Sequence, residues 1–443
     1  MLQAFGNIFR IPDLRKKMLF TLGLFAVYRL GAFIPTPGID SARLAQFFDN
    51  IAKSQGGTLF GIMNMFSGGA MQRLTVFALG IMPYISASII LQLLTTVIPF
   101  LEKMSKEGEA GRKKIIQYTR YGTIALAVIQ SFFISLWLEN PAHFQGVQIV
   151  QFMGWPFRLL TVLTLTTGTA FIMWLGEQIQ EFGIGNGISL IITIGIVSRV
   201  PSALYQLGFY LRKGQMQPFV LLLLAVLMVA VVLSVIMITQ GQRRIPVQYA
   251  RRIIGRKVYG GQSTYIPLRV NHAGVIPIIF AQSIILFPAT LAGLMPSSLL
   301  QNLATSLTEG GLLYLILYTA LIVFFTYFYT AVTFNPIDVA ENMRKYGGFV
   351  PGIRPGKPTA QYFDFILTRI TLPGAVFLAF IAVSPQMISA WLKIPYLIAS
   401  FFGGTGLLII VGVMLDTIRQ IESHLLMRHY EGFMKKGRIR GRR

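Results

Sequence analysis

Residues 217–239 read QPFVLLLLAVLMVAVVLSVIMIT, and this stretch decides the fold class. It contains no charged side chain, and its apolar residues are continuous rather than alternating, which favours a helix over a half-buried strand. A helix needs about 20 apolar residues to cross a hydrocarbon core about 30 Å thick. Residues 217–239 are therefore predicted to form a membrane-spanning helix.

Similar apolar stretches recur along the chain and predict ten membrane spans. Composition agrees, because 54% of the residues are hydrophobic and only 12% are charged. A soluble globular chain carries about 25% charged residues. The predicted fold class is an all-α polytopic membrane protein. Its spans lie at approximately residues 18–35, 75–95, 115–137, 156–175, 184–205, 217–239, 272–295, 313–334, 366–384 and 396–415.

Basic residues predict which side of the membrane each connection faces. Most of the 39 lysines and arginines lie near the termini and in the connections after spans 2, 6 and 8. Connections rich in Lys and Arg stay in the cytoplasm, whereas acidic residues have little weight. The connection after span 4 carries Glu177 and Glu181 without a basic residue, so it does not oppose the assignment. Both termini are therefore expected in the cytoplasm.

Ten spans divide into two halves of five, residues 18–205 and 206–418. An odd number of spans per half inverts the second half, an arrangement common in transport proteins. No clear repeat relates the halves in sequence, so a bundle without pseudo-symmetry remains open. Residues 1–17 are expected to form an amphipathic segment at the cytoplasmic membrane surface. Residues 419–443 form a basic cytoplasmic tail.

The stretch GGTLFGIMNMFSGGAMQRL, residues 56–74, is unlike an ordinary loop. It lies on the outer side, and it is apolar yet too short to span. Stretches of this kind form re-entrant or buried segments, and non-helical backbone at membrane depth must be surrounded by protein or water. We expect this re-entrant segment to lie inside the bundle. A short helix resting on the outer surface is the alternative.

Two cytoplasmic connections, residues 241–271 and 335–364, are about 30 residues long, and connections of this length are usually functional. Both are basic and suit anionic lipid headgroups or the phosphates of a nucleic acid. The tendency of positively charged connections to stay in the cytoplasm would explain why both are basic, even if they bind no partner. It would not explain their length.

The sequence lacks the common signatures of catalysis. It contains no cysteine, only four histidines, and no HExxH, GxSxG or GxxxxGK[ST] motif. We therefore predict no catalytic residue, no metal site, no cofactor and no enzymatic activity. The span interiors are almost free of acidic residues, which argues against an ion-coupled carrier. A small-solute secondary transporter and a membrane-embedded enzyme remain as weaker alternatives.

Eight motifs give the chain a resemblance to the SecY family, whose members form the protein-translocation channel of bacteria. The resemblance runs over nearly the whole chain. The motifs are FIPTPGID (33–40), NMFSGGA (64–70), FALGIMPYISAS (77–88), QYTRYG (117–122), GIGNGIS (183–189), GQRR (241–244), FVPGIRPG (349–356) and GGT (403–405).

The resemblance implies a channel formed by two inverted halves, with a narrow waist of aliphatic side chains. A plug, residues 58–73, would close the outer funnel, and a lateral gate would open toward lipid. The implied waist ring is Ile81, Ile85, Ile188, Ile192, Ile279 and Ile409. The implied plug residues are Phe60, Ile62, Met63, Asn64, Met65, Phe66, Ser67, Gly68 and Gly69. The implied gate residues are Ser86, Ile90 and Phe287.

The resemblance also implies partners and a location. The long cytoplasmic connections would dock the SecA motor ATPase or the ribosome and its RNA, and SecE and SecG would accompany the chain. Signal peptides and nascent chains would pass through it, in the bacterial inner membrane. The implied docking residues are Arg243, Arg244, Arg251, Arg252, Arg256, Lys257, Arg354 and Lys357.

Overall fold

The computed structural model divides into two compact units, which are described separately below. Unit 1 comprises residues 1–215, 286–309 and 409–443, and unit 2 comprises residues 216–285 and 310–408. The structure describes residues 11–54, 64, 67–144, 147–214, 217–249, 252–254, 257–259, 263–294, 312–392, 394, 398–399, 402 and 404–436. The division into inverted five-span halves stays a prediction.

Helices make up the described part of unit 1. They are α1 (Pro12–Gly31), α2 (Ser41–Ser54), α3 (Met82–Val97), α4 (Pro99–Lys106), α5 (Glu109–Glu139), a short 3₁₀ turn (Pro141–Phe144), α6 (Trp155–Phe182), α7 (Gly187–Val197) and α8 (Val200–Arg212). The long helices α5 and α6 pack against each other, and α3 packs on α5.

Unit 2 combines helices with two small sheets. Its elements are α9 (Pro218–Gln240), β1 (Gln242–Tyr249), β2 (Arg252–Ile254), β3 (Lys257–Tyr259), β4 (Ser263–Arg269), α11 (Leu312–Thr333), α12 (Pro336–Lys345), β5 (Gly348–Phe349) and α13 (Lys357–Leu392). Two further helices, α10 (Ile276–Leu294) and α14 (Thr405–Lys436), have residues in both units.

Every predicted span coincides with a helix, although several boundaries differ. Six stretches of the described chain are long and apolar enough to cross a membrane, or seven if the bent pair α3–α4 counts as one. The second span begins at Met82 rather than near residue 75, because residues 75–81 form turns. The last span contains α14, which begins at Thr405, and Ile398, Ala399 and Phe402 before it are also helical.

The bend between α3 and α4 has a local cause. The two helices meet at 99° around Ile98 and Pro99. Proline disfavours helical backbone in the residue before it, and Ile98 is extended, with φ −94° and ψ 113°. Beyond the bend, α4 carries Glu102, Lys103 and Lys106. Helix α3 therefore ends at Val97, and the first charged residue follows at Glu102.

Backbone contacts at glycine bring the helices of unit 1 close together. A Cβ added to Gly187 would overlap the carbonyl oxygen of Gly176, and one added to Gly168 would overlap that of Val76. Helices associate in membranes through small residues of this kind, since lipid provides no hydrophobic drive between them. The contact at Gly187 fixes the start of α7 on α6.

The connection after α9 folds as a sheet, which adds strands to the predicted all-α fold. Strand β1 pairs antiparallel with β4 from Gln242 opposite Arg269 to Gln248 opposite Ser263. Its other edge pairs with β5, Gln248 opposite Phe349. Side chains from β1, β4, α12 and α13 form one core, consisting of Ile245, Val247, Leu268, Met343, Val350, Phe363, Ile366 and Leu367. The two basic connections thus share a folded core.

Substituting Gly187 with alanine tests the close contact between α6 and α7. We expect the Gly187→Ala variant to unfold at a lower temperature than the wild type. Overpacking at this contact should reduce the free energy of unfolding by about 1–3 kcal/mol. Thermal unfolding of the detergent-solubilised protein measures the effect. Gly208→Ala in α8 is the matched control, because its new Cβ would meet no described atom within 4 Å. Equal unfolding temperatures for the two variants would contradict the packing described.

Candidate functional site

The first two predicted ring residues lie at the start of α3. Ile81 precedes the helix, and its carbonyl oxygen accepts a hydrogen bond from the backbone N–H of Ile85 at 3.1 Å. Residues four apart lie on one face of a helix. Ile81 and Ile85 are 2% and 4% exposed. The two side chains therefore lie on one aliphatic face. Pro83 lies in the first turn of α3, a position that proline favours.

The second pair, Ile188 and Ile192, lies in the same way on α7. The side chain of Asn186 caps this helix by accepting a hydrogen bond from the backbone N–H of Ser189 at 3.3 Å. Ile192 is buried and Ile188 is half-buried. The pair is again spaced by one helical turn, so α7 also presents two stiff, β-branched side chains on one face.

The loop before α7 is held from two sides within unit 1. The N–H of Gly185 donates to the side-chain oxygen of Gln420 on α14 at 2.9 Å. The N–H of Ile184 donates to Thr21 Oγ1 on α1 at 3.3 Å. Gly185 has a φ of +95°, a conformation that favours glycine. The GIGNGIS motif therefore sets where α7, with its two isoleucines, begins.

The remaining two ring residues lie on helices that have residues in both units. Ile279 on α10 is 5% exposed and belongs to unit 2, whereas Ile409 on α14 is fully buried and belongs to unit 1. All six predicted ring residues therefore lie on or directly before helices. That they line one constriction stays a prediction.

The described part of the re-entrant segment is tied together by polar contacts. The side-chain oxygen of Asn64 accepts a hydrogen bond from the backbone N–H of Gln72 at 3.0 Å. Ser67 Oγ accepts one from the N–H of Met71 at 3.1 Å. Asn64, Ser67 and Gly68 are buried. The predicted plug residues Phe60, Ile62, Met63, Met65 and Phe66 lie outside the described residues.

The end of the re-entrant segment is fixed to the chain that leaves α1. The carbonyl oxygen of Leu74 accepts a hydrogen bond from the N–H of Thr36 at 3.0 Å. The N–H of Val76 donates to the carbonyl of Ile34 at 2.9 Å. Leu74 is the one non-glycine residue with positive φ, +41°, in the described chain. This short bridge holds the segment at its exit into α3.

The predicted gate residues lie on α3 and α10. Ser86 is buried, whereas Ile90, one turn further along α3, is 45% exposed. Phe287 lies in α10, but its side chain is outside the described residues. The α3 surface thus changes from buried to exposed within one turn. The gate itself remains a prediction.

The predicted docking residues lie on the sheet and on the loop that follows β5. Arg243 and Arg244 on β1 are exposed. Arg252 and Lys257 fall in β2 and β3 with side chains outside the described part, and Arg251 and Arg256 lie outside it altogether. Because β1 rests on the core of unit 2, its arginines are carried on a rigid support rather than on a free loop.

The loop with Arg354 has a defined shape. Gly352 and Gly356 have positive φ values of +81° and +102°, which glycine adopts at no steric cost. Thr359, which is 1% exposed, donates its hydroxyl to the carbonyl of Arg354 at 2.8 Å. This bond closes the turn into α13, and the side chains of Arg354 and Lys357 are exposed beyond it.

Two ion pairs in unit 1 were not predicted from the sequence. Arg120 on α5 meets Glu177 on α6 at 2.7 Å, and Arg158 meets Glu139 at 2.7 Å, joining the same two helices. Neither pair could be read from sequence separation, because their partners lie 57 and 19 residues apart. Glu177, predicted to lie in the connection after span 4, thus lies within α6 and pairs with the neighbouring helix α5. In the described chain no three His, Asp or Glu side chains could hold a metal ion.

Comparison with known sequences identifies relatives over nearly the full length. A sequence model of the SecY family matches residues 75–418. The protein translocase subunit SecY of Escherichia coli strain K12 is 49% identical over 435 residues, which cover 97% of this chain and 96% of that protein. These matches include the ring, the gate and the docking motifs.

Comparison with solved structures identifies the same fold. A structure described as that of a protein conducting channel superposes with a TM-score of 0.62 at 18% identity, covering 92% of each chain. Sec61 in the canine ribosome–channel complex of the endoplasmic reticulum superposes with a TM-score of 0.59 at 17% identity, again over 92% of each chain. The fold is therefore that of these channels.

The Thr359 hydroxyl offers a test of the Arg354 loop. We expect Thr359→Val to loosen the loop, because removal of one neutral hydrogen bond costs about 1 kcal/mol. Amide hydrogen exchange at Ile353 should accelerate by a factor of about 5. Thr368→Val is the control, since its hydroxyl bonds to the Asp364 carbonyl on the exposed side of the same helix. A loop equally protected in both variants would refute the role given to Thr359.

Proposed function

This chain belongs to the SecY family, and from that premise we propose that it is a protein-conducting channel. It translocates unfolded secretory polypeptides across the bacterial inner membrane and releases signal sequences and membrane segments sideways into lipid. It is a passive pore and not an enzyme. The observation that carries this proposal is the 49% identity to a protein translocase subunit over 97% of the chain.

The waist of the channel is the ring of six isoleucines. An uncharged constriction holds back water and ions by dewetting. Isoleucine binds no ion, yet its side chain can yield around a passing chain of any sequence. The burial of Ile81, Ile85, Ile192, Ile279 and Ile409 supports this role, because a closed waist would be sealed from solvent.

The re-entrant segment acts as the plug of the idle channel. The buried positions of Asn64, Ser67 and Gly68 support this assignment, since a segment resting on the outer surface would be exposed. Irregular backbone is tolerated at membrane depth only inside protein or beside water. Displacement of the plug clears the path for a polypeptide.

Lateral release follows between the helices that carry Ser86, Ile90 and Phe287. A signal helix that leaves an aqueous pore for lipid gains about 0.8 kcal/mol for each buried CH₂ group. This gain drives partitioning without ATP hydrolysis by the channel. The exposed side chain of Ile90 is compatible with an opening between α3 and a neighbouring helix.

The energy for translocation comes from partners that dock on the basic cytoplasmic surface. The SecA motor ATPase or the ribosome binds the β1 strand and the Arg354 loop, and anionic lipids surround the chain. SecE and SecG complete the complex, and both termini are cytoplasmic. The exposure of Arg243, Arg244 and Arg354 supports this assignment, because phosphates and carboxylates are recognised by accessible guanidinium groups.

A single cysteine at Ile279 tests the path of the polypeptide, since the chain has no cysteine of its own. We expect Ile279→Cys to form a disulfide with a cysteine in a secretory chain arrested in transit. The adduct must depend on a signal sequence, and gel mobility detects it. Val229→Cys on α9, whose native side chain is 54% exposed, is the lipid-facing control. The proposal fails if engaged chains form no adduct at any of the six ring positions.

Reversal of charge at Arg354 tests the docking surface. We expect Arg354→Glu to weaken binding of the ribosome or of SecA by about tenfold, because like-charge contacts are disfavoured at such interfaces. Binding to membrane-embedded protein at two ionic strengths measures this loss. Lys345→Glu makes the same charge change in the same connection, on α12. If Arg354→Glu and Lys345→Glu lost the same binding affinity, only the net charge would matter, and Arg354 would not be a specific contact.

A further inference from the structure

Three segments of unit 1 meet at the carbonyl oxygen of Gly68. Arg29 on α1 donates from Nη1 to this oxygen at 3.1 Å, and the hydroxyl of Ser198, directly after α7, lies 3.4 Å from it. We propose that Arg29 is a clasp that keeps the re-entrant segment docked in the idle channel. The inference rests on the proposed role of that segment as a plug.

Arg29 contributes more to this contact than Ser198. A hydroxyl has one proton to donate, and Ser198 Oγ lies nearer to the carbonyl of Gly195, at 2.7 Å, than to that of Gly68. The guanidinium instead makes a charge-assisted hydrogen bond, which is shorter and stronger than a neutral one. Loss of Arg29 should therefore release the segment, whereas loss of Ser198 alone should have a small effect.

The guanidinium of Arg29 also faces an aromatic ring. It lies 4.8 Å from the centre of the Phe33 ring, at the outer end of the first span. Among the described ion pairs none involves Arg29. The guanidinium of Arg29 thus contacts an aromatic ring and a backbone oxygen. Water can replace both contacts, and no carboxylate loses an ion-pair partner when they break. A contact of this kind can open and close.

Gly68 is suited to this position because it has no side chain. Its φ is +66°, and a Cβ would lie 3.1 Å from the Cα of Gly195 on α7. The backbone of the segment therefore rests directly on the helix that carries Ile188 and Ile192. Because the clasp binds a carbonyl oxygen, it does not depend on the other side chains of the plug. It does depend on glycine at this position.

The segment has a second attachment six residues further on. Leu74 is held at φ +41° by the bond from Thr36 to its carbonyl, a strained conformation for a branched side chain. Such strain is found at hinges and switches. The clasp at Gly68 can release while the bridge at Leu74 stays, so the plug would swing about its exit rather than leave the channel.

The accessibility of a buried residue in the re-entrant segment reports whether that segment is docked. The measurement needs no translocating polypeptide. Met71, three residues past Gly68, is fully buried, and Met71→Cys would be the only cysteine in the chain. In idle vesicles containing the complete complex, we expect slow labelling of this cysteine by a membrane-impermeant maleimide. Adding Arg29→Gln should raise the labelling rate about tenfold or more, and Ser198→Ala less than about threefold.

Three companion variants isolate the hydrogen bond from other changes. Phe33→Leu removes the ring beside Arg29 but keeps the donor, and should leave labelling slow. Arg29→Lys keeps a charged donor and should fall between wild type and Arg29→Gln. Ser234→Ala on α9 removes a comparable hydroxyl, one that bonds within its own helix to Ala230, and should have no effect. Should Arg29→Gln fail to fold, Gly68→Ala disrupts the same contact from the other side.

The outcomes separate the clasp from the proposed function. Fast labelling in Arg29→Gln and in Gly68→Ala, with Phe33→Leu slow, supports the clasp. Slow labelling in Arg29→Gln, or equally fast labelling in Phe33→Leu, overturns it. If the clasp is overturned while Ile279→Cys still forms its adduct, the channel proposal stands without the clasp. If no cysteine at any of the six ring positions forms an adduct, the channel proposal fails independently of the labelling result.

Discussion

The backbone of this chain must satisfy its hydrogen bonds without water wherever it crosses the membrane, and most of the structure follows from that constraint. Each predicted span is a helix because a helix pairs its own N–H and C=O groups. At exposed helix starts, side chains satisfy the free backbone N–H groups. The side chain of Asn186 supplies an acceptor where α7 begins, and Asn335 does the same for the N–H of Ile337 at the start of α12.

The same constraint makes the irregular backbone of residues 67–81 informative. Its polar groups find partners inside unit 1, since Arg29 binds the Gly68 carbonyl and Thr36 binds that of Leu74. The bridge at Leu74 consists of two backbone hydrogen bonds, from Thr36 to Leu74 and from Val76 to Ile34, and neither contact belongs to a continuous ladder.

Water relaxes the constraint outside the predicted spans, where the chain forms a sheet. Strand β1 buries Ile245 and Val247 and exposes Arg243, Arg244 and Gln248. Its buried face joins α12 and α13 in one core, and its outer face carries positive charge. The predicted docking residues Arg243 and Arg244 are therefore carried by a folded core.

The sequence by itself determined the class of the protein and the order of its spans, because apolar length and basic flanks are local properties that need no partner. Residues 217–239 predicted α9 almost to the residue, and the motifs predicted the family. The sequence could not place the start of α3 at Met82, since residues 75–81 are equally apolar. It did not predict the strand pairing of residues 242–249 with 263–269, the ion pair of Arg120 with Glu177, or the contact of Arg29 with Gly68. These depend on residues distant in the chain, and only the tertiary structure decides which distant groups become neighbours.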